Sequence, residues 1–228
     1  MIVLILVGKE NFVIAIDGPS ASGKGTVASM LAQKLGIMCL DTGALYRGLT
    51  IHFMQNNVDI DCDESVSVAL ESIKLEPRCV DGVTHIFLNG VCITQKLHDV
   101  DVSVNVYKIA PNLLVRKKLR DIQHSIAVEN TLVCEGRDIT SVVFPDAKFK
   151  FYLDADLDVR AKRRHNQELA KGSTQTLEQV KDGINKRDIA DMTRDVSPLV
   201  KVCDAYVIDA SYLTPGQIVD EMMLVVTK

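Results

Sequence analysis

An apolar run, Phe12-Val-Ile-Ala-Ile-Asp17, leads directly into Gly18-Pro-Ser-Ala-Ser-Gly23-Lys24 and on to Gly25-Thr26. No other feature of the chain restricts its folding as much. The spacing Gly-x-x-x-x-Gly-Lys between a strand and a helix is that of a phosphate-binding loop. Small residues let the backbone wrap an anion, N–H groups turn inward, and the following helix adds its N-terminal dipole. Lys24 supplies a mobile positive charge for the β- and γ-phosphates of a nucleotide. Gly18, Pro19, Ser20, Ala21, Ser22, Gly23, Lys24, Gly25 and Thr26 are therefore the expected nucleotide-binding segment. The hydroxyl residue that often follows the lysine directly is displaced by one, to Thr26. A direct magnesium bond from Thr26 is thus not assumed, since magnesium keeps much of its water.

The rest of the chain supplies a matching scaffold. Apolar strand candidates at Phe12–Asp17, Ile37–Leu40, Thr131–Glu135, Lys148–Leu153 and Ala205–Ile208 alternate with helix candidates. The helices are expected near Lys24–Leu35, Ala44–Gln55, Asn112–Val128, Leu157–Ala170, Leu177–Thr193 and Pro215–Val226. Short apolar strands separated by helices imply a parallel sheet covered on both faces. The expected class is α/β, a three-layer P-loop core around a five-stranded parallel sheet. Ser72–Ile93 breaks the rhythm. Its Asp81-Gly82 and Asn89-Gly90 pairs favour positive-φ hairpin turns, so a small antiparallel β insert is expected, with a helix over Asp99–Ala110. The charged stretch Leu157–Arg194 is a candidate helical lid. The expected division is a core of residues 1–60, 126–156 and 196–228, an insert of residues 61–125, and a lid of residues 157–195.

Composition removes some classes. With 228 residues, 47% of them hydrophobic, the chain can bury a sizeable core, and its net charge of −4 argues against a general nucleic-acid binder. The six cysteines form no C-x-x-C pair and read as reduced, mostly buried thiols of a cytoplasmic protein. The five histidines show no metal spacing. The apolar run Met1–Val7 is too short to span a bilayer and lacks a basic lead, so an extra strand or a frayed start is expected there, with no membrane partner.

Three further segments carry a family resemblance. Asp41-Thr42-Gly43-Ala44-Leu45-Tyr46-Arg47 follows the second strand, Cys134-Glu135-Gly136-Arg137-Asp138 follows the third, and Val143-Phe-Pro-Asp-Ala147 precedes the fourth. With Ile16-Asp17-Gly18-Pro19-Ser20, these make the chain resemble the bacterial cytidylate kinases over nearly its whole length. The resemblance implies a monomeric enzyme of pyrimidine nucleotide metabolism, with ATP as phosphoryl donor, Mg2+, and CMP or dCMP as acceptor. It also implies roles for residues. Arg47 and Arg137 would hold the acceptor phosphate, with Thr42 and Tyr46 beside them. Arg116 and Asp138 would contact cytosine, while Arg187, Asp191 and Arg194 would approach the ribose and phosphates. Lys24, Arg137, Arg187 and Arg163 form the catalytic set. Arg160, Arg163 and Arg164 would either neutralise charge during transfer or be solvated, with Arg163 the favoured one.

Some positions depart from that pattern. Gly136-Arg137-Asp138 continues as Ile139-Thr140-Ser141. Glu135 replaces a common aspartate and would reach magnesium through water. Tyr107 stands where a base-contacting serine is common. A kinase for UMP or another small acceptor is the nearest rival. From another class, a regulatory switch such as a small GTPase is set aside on the expectation that the chain has no guanine-reading Asn-Lys-x-Asp.

Overall fold

The computed structural model describes residues 11–80 and 83–227. The Met1–Val7 run and the Asp81-Gly82 turn lie outside the described residues. Five parallel strands form the central sheet: β1 (Val13–Asp17), β2 (Met38–Asp41), β6 (Leu132–Glu135), β7 (Phe149–Asp154) and β8 (Tyr206–Asp209), in the order β2-β6-β1-β7-β8. In β1, Val13 and Ala15 face one apolar layer, and Ile14 and Ile16 face the other. That alternation explains why the strand is apolar throughout: both of its faces are covered.

Helix α1 (Lys24–Leu35) and the C-terminal helix α8 (Pro215–Val226) cover one face. There Val27, Leu31, Ile218 and Met222 pack against β1, β6 and β7. Helix α1 stops at Gly36, whose φ of 64° allows its N–H to close on Ala32 and Gln33 carbonyls. Helix α8 starts with a capping box from Thr214 and Gln217, and with Pro215 in its first turn. The opposite face is covered by α2 (Thr42–Gln55) and α5 (Leu113–Glu129).

Between α2 and α5 lies the insert. It comprises α3 (Asp63–Ser72), the antiparallel strands β3 (Leu75–Val80), β4 (Val83–Leu88) and β5 (Val91–Cys92), a 3-10 turn at Thr94–His98, and α4 (Val100–Ile109). The β4–β5 turn has φ of 48° at Asn89 and 85° at Gly90, as the Asn-Gly pair requires. The insert sheet packs directly onto α2. A Cβ on Gly48 would lie 2.9 Å from the Leu75 side chain and 3.4 Å from those of Ile86 and Ile93. Helix α3 was not expected from the sequence. Its buried Val66, Ala69 and Leu70 have i, i+3, i+4 spacing, but Val66-Ser67-Val68 alternates like a strand.

The two remaining helices, α6 (Leu157–Leu169) and α7 (Leu177–Thr193), pair as a hairpin beside the phosphate loop. Their own apolar cluster is small: Ala161, Val180 and Ile184, with Leu157 and the loop residue Ala21 packed against it. The thiols depart from expectation. Among the described cysteines Cys134 is buried, but Cys62, Cys92 and Cys203 are exposed, Cys92 in the short edge strand β5 and the other two outside the strands.

Candidate active site

A cleft of about 560 Å3 opens at the C-terminal ends of β1, β2 and β6, where open parallel sheets collect ligands. It is lined by residues of the phosphate loop, by the start of α2, by α4 and α5, by the turn after β6, and by α6 and α7. Each strand end delivers one motif seen in the sequence.

At the end of β1 the chain turns through Gly18 with φ +152°. A Cβ there would sit 2.1 Å from the Leu153 carbonyl oxygen, so only glycine fits. Gly18 and Pro19 do not line the cleft, whereas Ser20 through Thr26 do. Gly23, at φ +99°, precedes α1 with no side-chain cap, leaving the first helical N–H groups for an anion. The buried Lys24 ammonium donates to the Pro19 carbonyl at 2.7 Å and to Ser22 Oγ at 3.3 Å. Burial, then the nearby Arg137 charge, holds its pKa below the usual lysine value.

At the end of β2, Asp41 caps α2 by accepting from the Ala44 N–H at 3.0 Å and also accepts from Arg47 at 2.8 Å. Thr42 is buried, and its hydroxyl donates to the Glu135 carbonyl at 2.9 Å. The start of α2 is thereby tied to β6.

At the end of β6 the chain reads Glu135-Gly136-Arg137-Asp138. Gly136 is required, because a Cβ would lie 2.7 Å from both Thr42 Oγ1 and the Ile139 side chain. Arg137 Nε donates to Asp191 at 2.9 Å. Asp138 accepts from Arg116 at 2.9 Å and faces Arg194 at 3.8 Å. The Arg116 guanidinium also lies 5.7 Å from the Tyr46 ring centre, and burial lifts that phenol's pKa to about 12. From α7, Asp191 collects Arg137, Arg194 at 3.5 Å and Arg187 at 4.0 Å. The expected i, i+4, i+7 face holds for Arg187 and Asp191. Arg194 is the residue that caps α7, one step beyond the helix.

Four of these arginines share an unusual property. Arg47 Nε, Arg116 Nε, Arg187 Nε and Arg194 Nη2 are buried without a hydrogen-bond acceptor. Buried donors normally find partners. Four unmet guanidinium donors lining one cleft make a site for an anion with several oxygens.

The remaining predicted residues are also in the cleft. Arg163 lines it and donates to the Ala210 carbonyl at 2.6 Å. Arg164 lines it too, and pairs with Glu168 at 2.7 Å. Tyr107 is half-exposed on α4, and its ring contacts the Arg187 guanidinium at 5.3 Å instead of the Arg116–Asp138 pair. Glu135 is partly buried beside Gly25, and among the described residues its carboxylate accepts no protein hydrogen bond. Burial, then repulsion from Asp41, raises its pKa. An uncommitted carboxylate oxygen next to the phosphate loop, with Thr26 in the same cleft, suits a hydrated hard cation.

Sequence reasoning missed the roles of three buried groups near the cleft, Asp17, Arg160 and Asp188. Asp17 accepts from the Ile139 N–H at 3.0 Å and from the Thr140 N–H and hydroxyl, each at 2.7 Å. It thereby fixes the π-helical turn Ile139–Val143 that follows Asp138. The signal was a charged residue closing an apolar strand. Arg160 is buried and paired with Asp188, so neither the charge-neutralising nor the solvated reading describes it. The expectation about Asn-Lys-x-Asp needs correction as well. Asn185-Lys186-Arg187-Asp188 spells that tetrapeptide, but it lies within α7, and both Asp188 oxygens are taken by Arg160 and the Ser20 N–H. It cannot read guanine there.

The profile of the cytidylate kinase family matches residues 14–228. The chain belongs to the cytidylate kinase family. A cytidylate kinase of Bacillus cytotoxicus is 38% identical over 215 residues, covering 94% of this chain and 96% of that one. A cytidylate kinase of Ligilactobacillus salivarius is 38% identical over 213 residues, covering 93% and 95%. Among solved structures, an uncharacterised protein of Eubacterium ventriosum superposes with a TM-score of 0.54 at 15% identity, over 95% of this chain and 98% of that one. That likeness is one of fold alone. Among the described residues no helix is long and apolar enough to cross a membrane.

Proposed function

We propose that this member of the cytidylate kinase family transfers the γ-phosphoryl group of ATP to CMP or dCMP, giving ADP and CDP or dCDP. The observation that carries the reading is the set of four buried, unmet guanidinium donors beside the phosphate loop. A nucleoside monophosphate, through its phosphate, ribose and base oxygens, supplies the acceptors they lack.

The roles follow from position. The loop from Ser20 to Thr26 and Lys24 hold the ATP phosphates. Arg47 and Arg137 grip the acceptor phosphate, with Thr42 fixing the α2 start beside it. Asp138, paired with Arg116 and facing Arg194, accepts from the cytosine amino group, and Tyr46 backs Arg116. Asp191 orients Arg137 and, with Arg187 and Arg194, closes around the ribose and phosphates; Tyr107 covers Arg187 at the mouth. Arg163 reaches the transfer region from α6. The acceptor phosphate is already an anionic nucleophile, so positioning, charge neutralisation and exclusion of water supply the catalysis, and no general base is needed. Glu135 and Thr26 would hold Mg2+ through its waters, and the ion would neutralise charge between the β- and γ-phosphates.

The same reading divides the chain into the core, insert and lid expected from sequence, with a monomer as the working unit. It places the protein in the cytoplasm, where ATP and reduced thiols occur together. A steady-state assay with ATP and a panel of CMP, dCMP, UMP, AMP and shikimate tests it. CMP and dCMP should turn over with kcat/KM at least about tenfold above UMP, on the scale of one misread base edge. Preferential use of UMP, AMP or shikimate would overturn the reading.

A further inference from the structure

The phosphate loop is held from its outer side by the lid hairpin. Asp188 of α7 accepts from the Ser20 N–H at 2.9 Å through one carboxylate oxygen, and its other oxygen accepts from Arg160 of α6. Arg160 also donates to the Ser20 carbonyl at 3.0 Å and to the Ala155 carbonyl at 2.8 Å. Both peptide groups flanking the Ser20 α-carbon are therefore engaged by one buried ion pair, whose side chains are only 9% and 8% exposed. The next residue, Ala21, has φ +59°, a conformation that a residue with a Cβ rarely adopts. Such a conformation persists only when its surroundings enforce it. Here they do. The Ala21 methyl packs into the hairpin's own cluster of Ala161, Val180 and Ile184.

We propose that Arg160 and Asp188 are positioning residues for the donor nucleotide: the pair, with the cluster beneath it, holds Ser20 and Ala21 so that the following N–H groups converge on the ATP phosphates. This rests on the reading of that loop as the ATP site. Asp188 follows Arg187 on α7 and its charge is felt at Arg137, but the hydrogen bonds of the pair go only to Ser20, Ala155 and each other, so its main effect falls on the donor side. A buried ion pair is seldom kept for stability alone, since apolar residues of equal volume do as well. What apolar residues cannot do is bond both peptide groups of Ser20.

That difference sets the experiment. The double variant Arg160→Met with Asp188→Leu removes both charges together and strands neither. No buried charge is left unpaired, but the Ser20 N–H and the Ser20 and Ala155 carbonyls lose their partners, so the variant should fold and melt below wild type. Its KM for ATP, and its Kd for ATP by calorimetry without acceptor, should rise by about tenfold or more, the worth of at least one charge-assisted hydrogen bond. Its KM for CMP should stay within about twofold of wild type, since the acceptor contacts are untouched. ATP affinity within about twofold of wild type in the folded variant overturns the proposal, as does an equal weakening of ATP and CMP. If the double variant does not fold, Arg160→Lys serves instead. Lysine keeps the charge opposite Asp188 but lacks the fork that spans the Ser20 and Ala155 carbonyls. Weaker ATP binding with an unchanged KM for CMP is expected, and unchanged ATP binding overturns the proposal. Because the calorimetric measurement needs no acceptor, it stands even if the wild-type protein proves not to phosphorylate CMP. That failure would appear separately, in the wild-type assay.

Discussion

Lys24 sits in the cleft with its charge disfavoured by burial and by Arg137, its pKa lowered from 10.5 to about 7. The direction of the consequence can be worked out. Between about pH 7 and 10.5 the unfolded chain binds a proton that the folded chain does not, so this residue's contribution to stability improves as pH rises through that window. Below it, the folded protein bears the full cost of a buried ammonium. A triphosphate reverses the balance by bringing negative charge to the ammonium. ATP binding at pH 8 should therefore take up a proton, seen as buffer-dependent calorimetric heats, and the uptake should vanish in Lys24→Ala. The same variant should stay folded and lose roughly 2.7–4 kcal/mol of transition-state stabilisation, the scale of one preorganised charge partner. Near-normal turnover in the folded variant would falsify the assigned role. Asp138 offers a second test. Cytosine presents an amino donor where uracil presents a carbonyl acceptor, so a fixed carboxylate favours the first and repels the second. Asp138→Asn should narrow the CMP-over-UMP ratio of kcat/KM by roughly 1–3 kcal/mol, mostly through poorer use of CMP. An unchanged ratio would move base reading to Arg116.

The α6–α7 hairpin is two things along its length. Its base carries Arg160, Ala161, Ile184 and Asp188, all buried, while Leu169 to Thr176 at its tip are largely exposed. Motion should follow that gradient, because elements with few buried contacts open first. Without ligand, hydrogen exchange should be fast across 169–176 and slow around 160–161 and 184–188. A bisubstrate mimic should slow exchange at 163–167 and onward through the tip, where Arg163, Arg164 and Gln167 line the cleft. Equal protection with and without the mimic would show that this hairpin does not close. The helices themselves were readable because their signals are local: Thr176 and Gln179 form a capping box at the start of α7, and its span matches the sequence expectation. The fastening of the hairpin to the phosphate loop was not readable, since Ser20 and Asp188 lie 168 positions apart.

At the scale of the molecule, legibility followed the range of the interaction. The parallel core was readable because a buried strand must be apolar on both faces, and β1 and β6 are. The site's arginines were readable because Gly136-Arg137-Asp138 and Asp41-to-Arg47 are contiguous motifs at strand ends. The turn at Ile139–Val143 was opaque, for its two leading N–H groups bond to Asp17, across 122 and 123 positions. One packing detail bears on how such a protein can be recombined. Gly48 lies flush against Leu75, Ile86 and Ile93, so the helix that carries Arg47 is seated on the insert sheet, while Thr42 at its start is bonded to β6. A chimera that borrows the acceptor pocket of a relative, spliced at residue 61, would keep the host's Arg47 helix against a foreign sheet. The splice that preserves the seat lies before Asp41, and the exchanged cassette must bring its own helix with it.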